Sequence, residues 1–376
     1  MIFLDSPFTE AIDTILLKTK PERVLLVTGG GSFERSPMRE YFDSLAQQIN
    51  VIHYPGLGSN PEYERVEQAL SDLADTGDID LIIAAGGGSV IDYAKLIALY
   101  LPNQELFTEN FDNLGDAEPT APILAIPTTA GSGSEATHFA VLYKGDQKYS
   151  IASKKMKPTH VVVDPSLTHS MPPYLTACSG MDALCQAIES LWARSATDES
   201  RRYATKALEL IVPAIVKAVH NPDPDSRRAM SLGAYHAGQA INISKTTGPH
   251  AFSYHLTRRY GVPHGEAVAM TMEAFITLNY SHLTIEVKQA LGRVFQTRAH
   301  RDLADAFRSL RSSIGLLRTT FPSVGVITEK QMKGFLNSVN TERLKNNPVL
   351  PPVQALLHEL NAKANELGKV INDCCD

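Results

Sequence analysis

The sequence predicts a doubly wound α/β domain followed by a domain that is almost wholly helical. Five short, near-continuous apolar runs, rich in β-branched residues, fall within the first 165 residues, and amphipathic helical patterns separate them. Beyond residue 165 strand signals nearly vanish, and long helical patterns follow one another. A chain of 376 residues exceeds one ordinary core, so two domains are expected, residues 1–165 and 166–376.

The first apolar run, "RVLLVTG" (23–29), is followed by "INVIHYPG" (49–56), "IDLIIAAGG" (79–87), "APILAIPTT" (121–129) and "HVVVDP" (160–165). Runs apolar on both faces are those of a sheet covered on both sides. Between the second and third, "PEYERVEQALSDLAD" (61–75) puts Pro61 in a first helical turn and Val66, Ala69, Leu70 and Leu73 on one face. "PSLTHSMPP" (165–173), with prolines at 165, 172 and 173, reads as the connector between domains. "NPDPDS" (221–226) reads as a helix-to-helix turn.

Composition narrows the class of function. Hydrophobic residues make up 43% and charged ones 20%, the balance of a soluble globular protein. A net charge of -6 gives no footprint for nucleic acid or an anionic membrane. No stretch approaches the roughly 20 apolar residues of a membrane helix, and the opening "MIFLDSPFTEAIDTILLK" lacks the pattern of a signal peptide. Cys178, Cys185, Cys374 and Cys375 match neither a zinc site nor a disulfide framework, and free thiols fit a reducing cytoplasm.

Three loops carry the first chemistry. In "AAGGGSVIDYAK" (84–95) an apolar strand runs into Gly86, Gly87, Gly88 and Ser89, and a helix begins at once. Backbone N–H groups without a Cβ to block approach then face the positive end of a helix, the setting of a phosphate cradle, although three glycines also make a plain tight turn. "TGGGSFER" (28–35) and "PTTAGSGSEAT" (127–137) follow two other strands at their carboxyl ends, where ligands of such sheets bind. Gly29, Gly30, Gly31 and Ser32 with Arg35 offer small donors and a cation where an acidic residue would hold a ribose 2′-hydroxyl, so NADP is favoured over NAD.

"HAFSYHLTRRYGVPH" (250–264) begins and ends on a histidine and has a third, His255, inside. A lone histidine is usually structural or solvated. With Asp182 of "SGMDALCQAIES" (179–190), however, His250 and His264 make one carboxylate and two imidazoles, a set suited to Fe(II) or Zn(II). Spacing does not show that these distant residues converge. Trp192 reads as helix packing.

"AAGGGSVIDYAK", "IPTTAGSGSEAT", "VDPSLT", "GMDALCQAIES" and "GPHAFSYHLTRRYGVPHGEAVA" resemble, in this order and over nearly the whole length, the iron-containing (type III) alcohol dehydrogenases. The resemblance implies a Rossmann-like nucleotide-binding domain and an all-α domain enclosing a cleft, the architecture shared with dehydroquinate synthase-like proteins. It also implies metal-ligand roles for Asp182, His250 and His264, and nucleotide contacts from Gly86 to Ser89, Asp92, Thr128, Thr129 and Ser132. The family's histidine four residues after the aspartate is Gln186 here, a weaker neutral ligand. The histidine that many members carry four residues after the second ligand is Tyr254, with His255 beside it. The proton donor is therefore open between Tyr254, His255 and solvent.

These departures, within "AINISKTTGPHAFSYHLTRRYG" (240–261), resemble the family's phosphonoacetaldehyde reductase branch. Lys245 and Arg258, together with Arg259, are candidates to pair with a phosphonate, or else belong to a solvated face. The expected activity is metal-dependent, NAD(P)H-linked reduction of an aldehyde to a primary alcohol by a cytoplasmic homodimer. A general alcohol dehydrogenase for small uncharged substrates, or a dehydroquinate synthase-like lyase, are the alternatives.

Overall fold

The computed structural model describes residues 1–107, 111, 114, 117–145, 147–317, 339 and 341–350, with Arg259 and His300 described by their backbone alone. Cys374 and Cys375 lie outside the described residues. Two compact units result, Met1–Met171 and one beginning at Pro172. The boundary expected at residue 166 falls in a 3-10 turn, Pro165–Thr168.

In the first unit the described elements are β1 (Ile2–Leu4), α1 (Phe8–Thr19), β2 (Arg23–Thr28), α2 (Gly31–Glu34), α3 (Met38–Leu45), β3 (Asn50–Tyr54), α4 (Tyr63–Leu73), β4 (Leu81–Gly86), α5 (Gly88–Tyr100), β5 (Ile123–Pro127), β6 (Phe139–Lys144), β7 (Gln147–Ala152) and β8 (His160–Val163). Six strands form one sheet in the order β1-β8-β5-β4-β2-β3, every pair parallel. Its two faces are read directly from alternate residues. Leu25, Val27, Ile82, Ala84, Ile123 and Ala125 enter one core with α4 and α5. Val24, Leu26, Leu81, Ile83, Leu124 and Ile126 enter another with α1 and α3. A parallel strand buried on both sides has no polar face to show, which is why these runs are continuously apolar.

The five strands expected from the sequence are β2, β3, β4, β5 and β8. Two features went unread. β1 is a three-residue edge strand, too short for any periodicity to register. β6 and β7 form a separate antiparallel hairpin, polar along much of β7, that turns at Gly145 with φ +57°.

From β2 the chain passes to β3 on one side and returns to β4 on the other. Sheet order reverses there, so the loops leaving β2 and β4 diverge and open the crevice in which such sheets bind ligands.

The second unit is helical: α6 (Pro173–Trp192), α7 (Asp198–His220), α8 (Pro224–Ser244), α9 (Gly248–Tyr260), α10 (His264–Asn279), α11 (Ile285–Phe295), α12 (His300–Ser313) and α13 (Thr341–Lys345). Side chains stop the frayed ends. Thr197 and Ser200 cap α7 reciprocally, and Asp223 and Ser226 do the same for α8, with Pro224 in its first turn. The "NPDPDS" turn is thus a helix cap. No helix among the described residues is long and apolar enough to cross a membrane.

From Thr176 to Trp192 every residue of α6 except Ser179 is buried, so this helix is the unit's axis. α9 ends at Gly261, whose φ of +64° suits a residue without a Cβ. Pro263 then leads directly into α10. A Cβ on Gly265 would lie 1.9 Å from the carbonyl oxygen of Cys178 and 3.0 Å from Asp182 Cβ. The first turn of α10 therefore presses backbone to backbone on α6, with His264 beside Asp182. Gly265→Ala must push the helices apart, and a loss of about 1–3 kcal/mol in denaturant-induced unfolding is expected; an unchanged midpoint would refute this packing.

Candidate metal centre and nucleotide loops

Asp182 projects from the middle of α6, His250 from the first turn of α9, and His264 opens α10. Three helices bring one carboxylate oxygen and two imidazole nitrogens within 4.8 Å of one another. His250 Nε2 is 3.2 Å from Asp182 Oδ1, and His264 Nε2 is 3.8 Å from the same oxygen. One hard anionic donor and two borderline nitrogen donors in that space fit a divalent first-row cation. Gln186, one turn along α6 from Asp182, is buried.

Another turn along α6 stands Glu189, which the sequence reading passed over. It is fully buried, and its carboxylate accepts from Thr247 N at 2.8 Å, Thr247 Oγ1 at 2.9 Å and His250 Nδ1. Trp192 is buried as packing and also donates its indole N–H to Thr247 Oγ1 at 2.9 Å. An acceptor-only carboxylate at Nδ1 keeps that nitrogen protonated, so Nε2, facing Asp182, is the nitrogen that can give up its proton and offer a lone pair. The spacing 182, 186, 189 was a visible signal, being one stripe of a helix.

Burial disfavours the His250 imidazolium, but Glu189 and Asp182 outweigh it and raise the pKa to about 9. A cation seeking Nε2 must displace that proton.

The structure brings Tyr254 to this cluster. Its ring stacks on His264 with centroids 5.9 Å apart and planes 11° apart, and its hydroxyl hydrogen-bonds Thr246. Burial raises its pKa, so the phenol stays protonated at neutral pH, although the Arg343 charge and the Thr246 bond pull the other way. His255 lies about 100° further round the helix, its ring tilted against Tyr260 at 6.0 Å.

The basic candidates fare differently. Lys245 occupies the C-cap of α8 with φ +57°, and its ammonium pairs with Glu342 on α13. Arg258 is exposed. Arg259's side chain is outside the description.

In the first unit the three expected loops leave adjacent strands. β2, β4 and β5 lie side by side, with Thr28 opposite Ala85 and Gly86 opposite Pro127. A Cβ on Gly88 would meet Ser132 Oγ at 2.1 Å, so glycine there lets the 128–134 loop close on the start of α5. Thr128 N donates to Gly86 O at 3.0 Å, and Thr129 lies 3.5 Å from a Cβ built on Gly87. The amides of Gly88 and Ser89 open a 13-residue helix, where a phosphate is stabilised. Asp92 works on the loop itself, accepting from Ser134 Oγ and from Val141 N at 2.9 Å. Beside it Lys95, also unread in the sequence, is fully buried and donates to Ser134 O, Ser134 Oγ, Thr137 Oγ1 and Phe139 O at 2.7–3.0 Å. Burial lowers the Lys95 pKa to about 8 against the pull of Asp92 and Glu135. On the β2 loop, Arg35 Nη1 comes within 2.8 Å of a Cβ built on Gly31, so the guanidinium lies over Gly31.

Residues 5–165 match the iron-containing alcohol dehydrogenase family, and residues 176–363 match the C-terminal region of the Fe-containing alcohol dehydrogenase family. The chain belongs to this family. Its relatives include a phosphonoacetaldehyde reductase of Streptomyces viridochromogenes, 34% identical over 54% of each chain. An NADPH-dependent butanol dehydrogenase of Clostridium saccharobutylicum is 32% identical over 70% of this chain and 69% of its own length. Among solved structures, sulfoacetaldehyde reductase from Bifidobacterium kashiwanohense in complex with NAD+ superposes with a TM-score of 0.87 at 28% identity, covering 97% of this chain and 96% of that one. The match spans only about half the length of the phosphonoacetaldehyde reductase and of alcohol dehydrogenase 4 from Schizosaccharomyces pombe, 54% in each case.

Two outcomes are expected of the metal centre. Glu189→Gln should weaken divalent-metal affinity by about 10–100-fold, read by competition with a chromogenic chelator; unchanged affinity would remove Glu189 from the centre. Metal uptake should release protons, and affinity should fall as pH drops below about 9, because proton and cation compete for His250 Nε2. Titration in a weak buffer measures both.

Proposed function

We propose that the protein is a metal-dependent, NADPH-linked aldehyde reductase whose substrate is a short aldehyde bearing a phosphonate. The observation that carries the reaction class is the Asp182–His250–His264 cluster, backed by Glu189, in a chain of this family. The substrate is favoured by the likeness to two reductases of anionic acetaldehydes, one phosphono and one sulfo. NADP is favoured over NAD by Arg35 lying over Gly31.

When bound, a divalent cation polarises a carbonyl and a nicotinamide dinucleotide supplies the hydride. Asp182 contributes the formal negative charge that retains a cation, and His250, fixed in tautomer by Glu189, contributes a directed lone pair. His264 adds the second imidazole, and Gln186 lies where a neutral amide oxygen weakens the set relative to a fourth imidazole. Tyr254, whose ring stacks on His264, keeps its phenolic proton and is our candidate to give it to the nascent alkoxide. In the first unit, the α5 amides and the Thr128–Ser132 loop hold the pyrophosphate.

His264→Ala should reduce NADPH oxidation by at least about 1,000-fold while leaving NADPH binding, followed by fluorescence, nearly intact. With the wild-type protein loaded with Fe(II) or Zn(II), kcat/KM for phosphonoacetaldehyde should exceed that for butyraldehyde. Turnover by a metal-stripped preparation would overturn the metal role, and better turnover of butyraldehyde would favour the neutral-aldehyde reading that the butanol dehydrogenase likeness supports.

A further inference from the structure

The segment that joins β3 to α4, residues 55–62, is tied to both glycine loops of the first unit. At one end Gly56 N donates to Gly29 O at 3.2 Å and Leu57 N to Thr28 O at 3.4 Å, so the segment leans on the β2 loop. At the other, Asn60 N donates to Ser89 Oγ at 3.2 Å, in the first turn of α5. Pro61 O then accepts from Tyr143 N on β6 at 2.7 Å. Residues 56–62 thus form a strap between the two loops that flank the crevice.

Tyr93 holds the far end of this strap. It stands one turn along α5 from Ser89, and it is fully buried. Its hydroxyl accepts from Glu62 N at 3.0 Å and donates to Asn60 O at 3.3 Å. Burial raises its pKa, so the phenol keeps the proton that it donates. Asn60 is therefore fixed at its N–H by Ser89 and at its carbonyl by Tyr93. Its side chain is exposed and its backbone left-handed, with φ +65°, a conformation that asparagine tolerates and a β-branched residue does not.

The polarity of these bonds decides what Ser89 can offer. A backbone N–H only donates, so Ser89 Oγ is the acceptor there, and the hydroxyl's single proton is left to donate elsewhere. Among the described residues that proton meets no acceptor. Ser89 also contributes a backbone amide to the open first turn of α5. The residue is set to give two hydrogen bonds, and a phosphate oxygen only accepts at neutral pH.

We propose that Tyr93 is a positioning residue for the nucleotide: by holding residues 60–62 it fixes the Ser89 hydroxyl as a donor to the dinucleotide's pyrophosphate. This rests on the placement of the pyrophosphate at α5 given above. Tyr93 acts only through the strap, because both of its hydroxyl's bonds are made to residues 60 and 62.

The test measures binding of NADPH to the full chain by fluorescence and of adenosine 2′-monophosphate, which lacks the pyrophosphate, by displacement. If NADH binds more tightly than NADPH, NADH is paired with adenosine instead. Tyr93→Phe fills the same buried space without the hydroxyl. It should raise the Kd of the dinucleotide by about 10-fold and leave that of the nucleoside ligand within about 2-fold. Ser89→Ala should give the same selective loss, and the double variant should lose little more than either single one, since both changes remove one interaction. Asn60→Val, which disfavours φ +65° at an exposed position, should reproduce the pattern and carries the test if Tyr93→Phe fails to fold. A dinucleotide Kd unchanged in Tyr93→Phe, equal losses for both ligands, or full additivity with Ser89→Ala would overturn the role of Tyr93 alone. Unchanged dinucleotide affinity in Ser89→Ala, or a wild type that binds the dinucleotide no more tightly than the ligand without pyrophosphate, would sink the placement at α5 and the role of Tyr93 with it.

Discussion

The Glu189 carboxylate is the interaction on which the second unit's site depends. It sits in full burial on α6 and is satisfied by the backbone and hydroxyl of Thr247 and by the His250 ring. A buried carboxylate is tolerated only when its lone pairs are filled. Those same donors fix the entry of α9 and the tautomer of His250, so stability of the helix pair and preparation of the nitrogen are one event. Gly265 completes the arrangement by letting α10 approach α6 at backbone distance, which brings in His264. Precision within a few tenths of an ångström thus comes from backbone contact and buried polar bonds, because the ligand side chains cannot supply it themselves.

The first unit solves a different problem by similar means. Its sheet is continuous apolar packing, indifferent to chemistry, and the chemistry is confined to loops where the strand order reverses. Such loops would be mobile if nothing tied them down. Asp92 and Lys95, one turn apart on α5, hold the 132–141 segment through side-chain bonds, and the missing Cβ of Gly88 lets Ser132 close on the helix start. Two buried polar side chains in a mostly apolar helix therefore brace the loop that closes on the start of α5.

Basic residues and neighbours alike in the sequence separate in the structure according to what surrounds them. Lys245, Arg258 and Arg343 all follow α8 in a chain read as helical, yet one is spent in a surface ion pair, one is exposed, and one is buried beside Tyr254. Tyr254 and His255 are neighbours in sequence and face different partners because a helix turns about 100° per residue.

The sequence by itself determined the sheet, the helical second half, the glycine loops and the types of donor available, since apolar periodicity, glycine runs and motif order are local properties. Family resemblance, also carried by local motifs, pointed to Asp182, His250 and His264 across a separation of 82 residues. Only the tertiary structure decided that their ligand atoms share one space, that Glu189 aims His250, that Asp92 and Lys95 brace a loop, and that Arg343, 79 residues beyond His264, reaches Thr246. Burial and hydrogen-bond partnership belong to helix packing and backbone contact. No spacing along the chain encodes them.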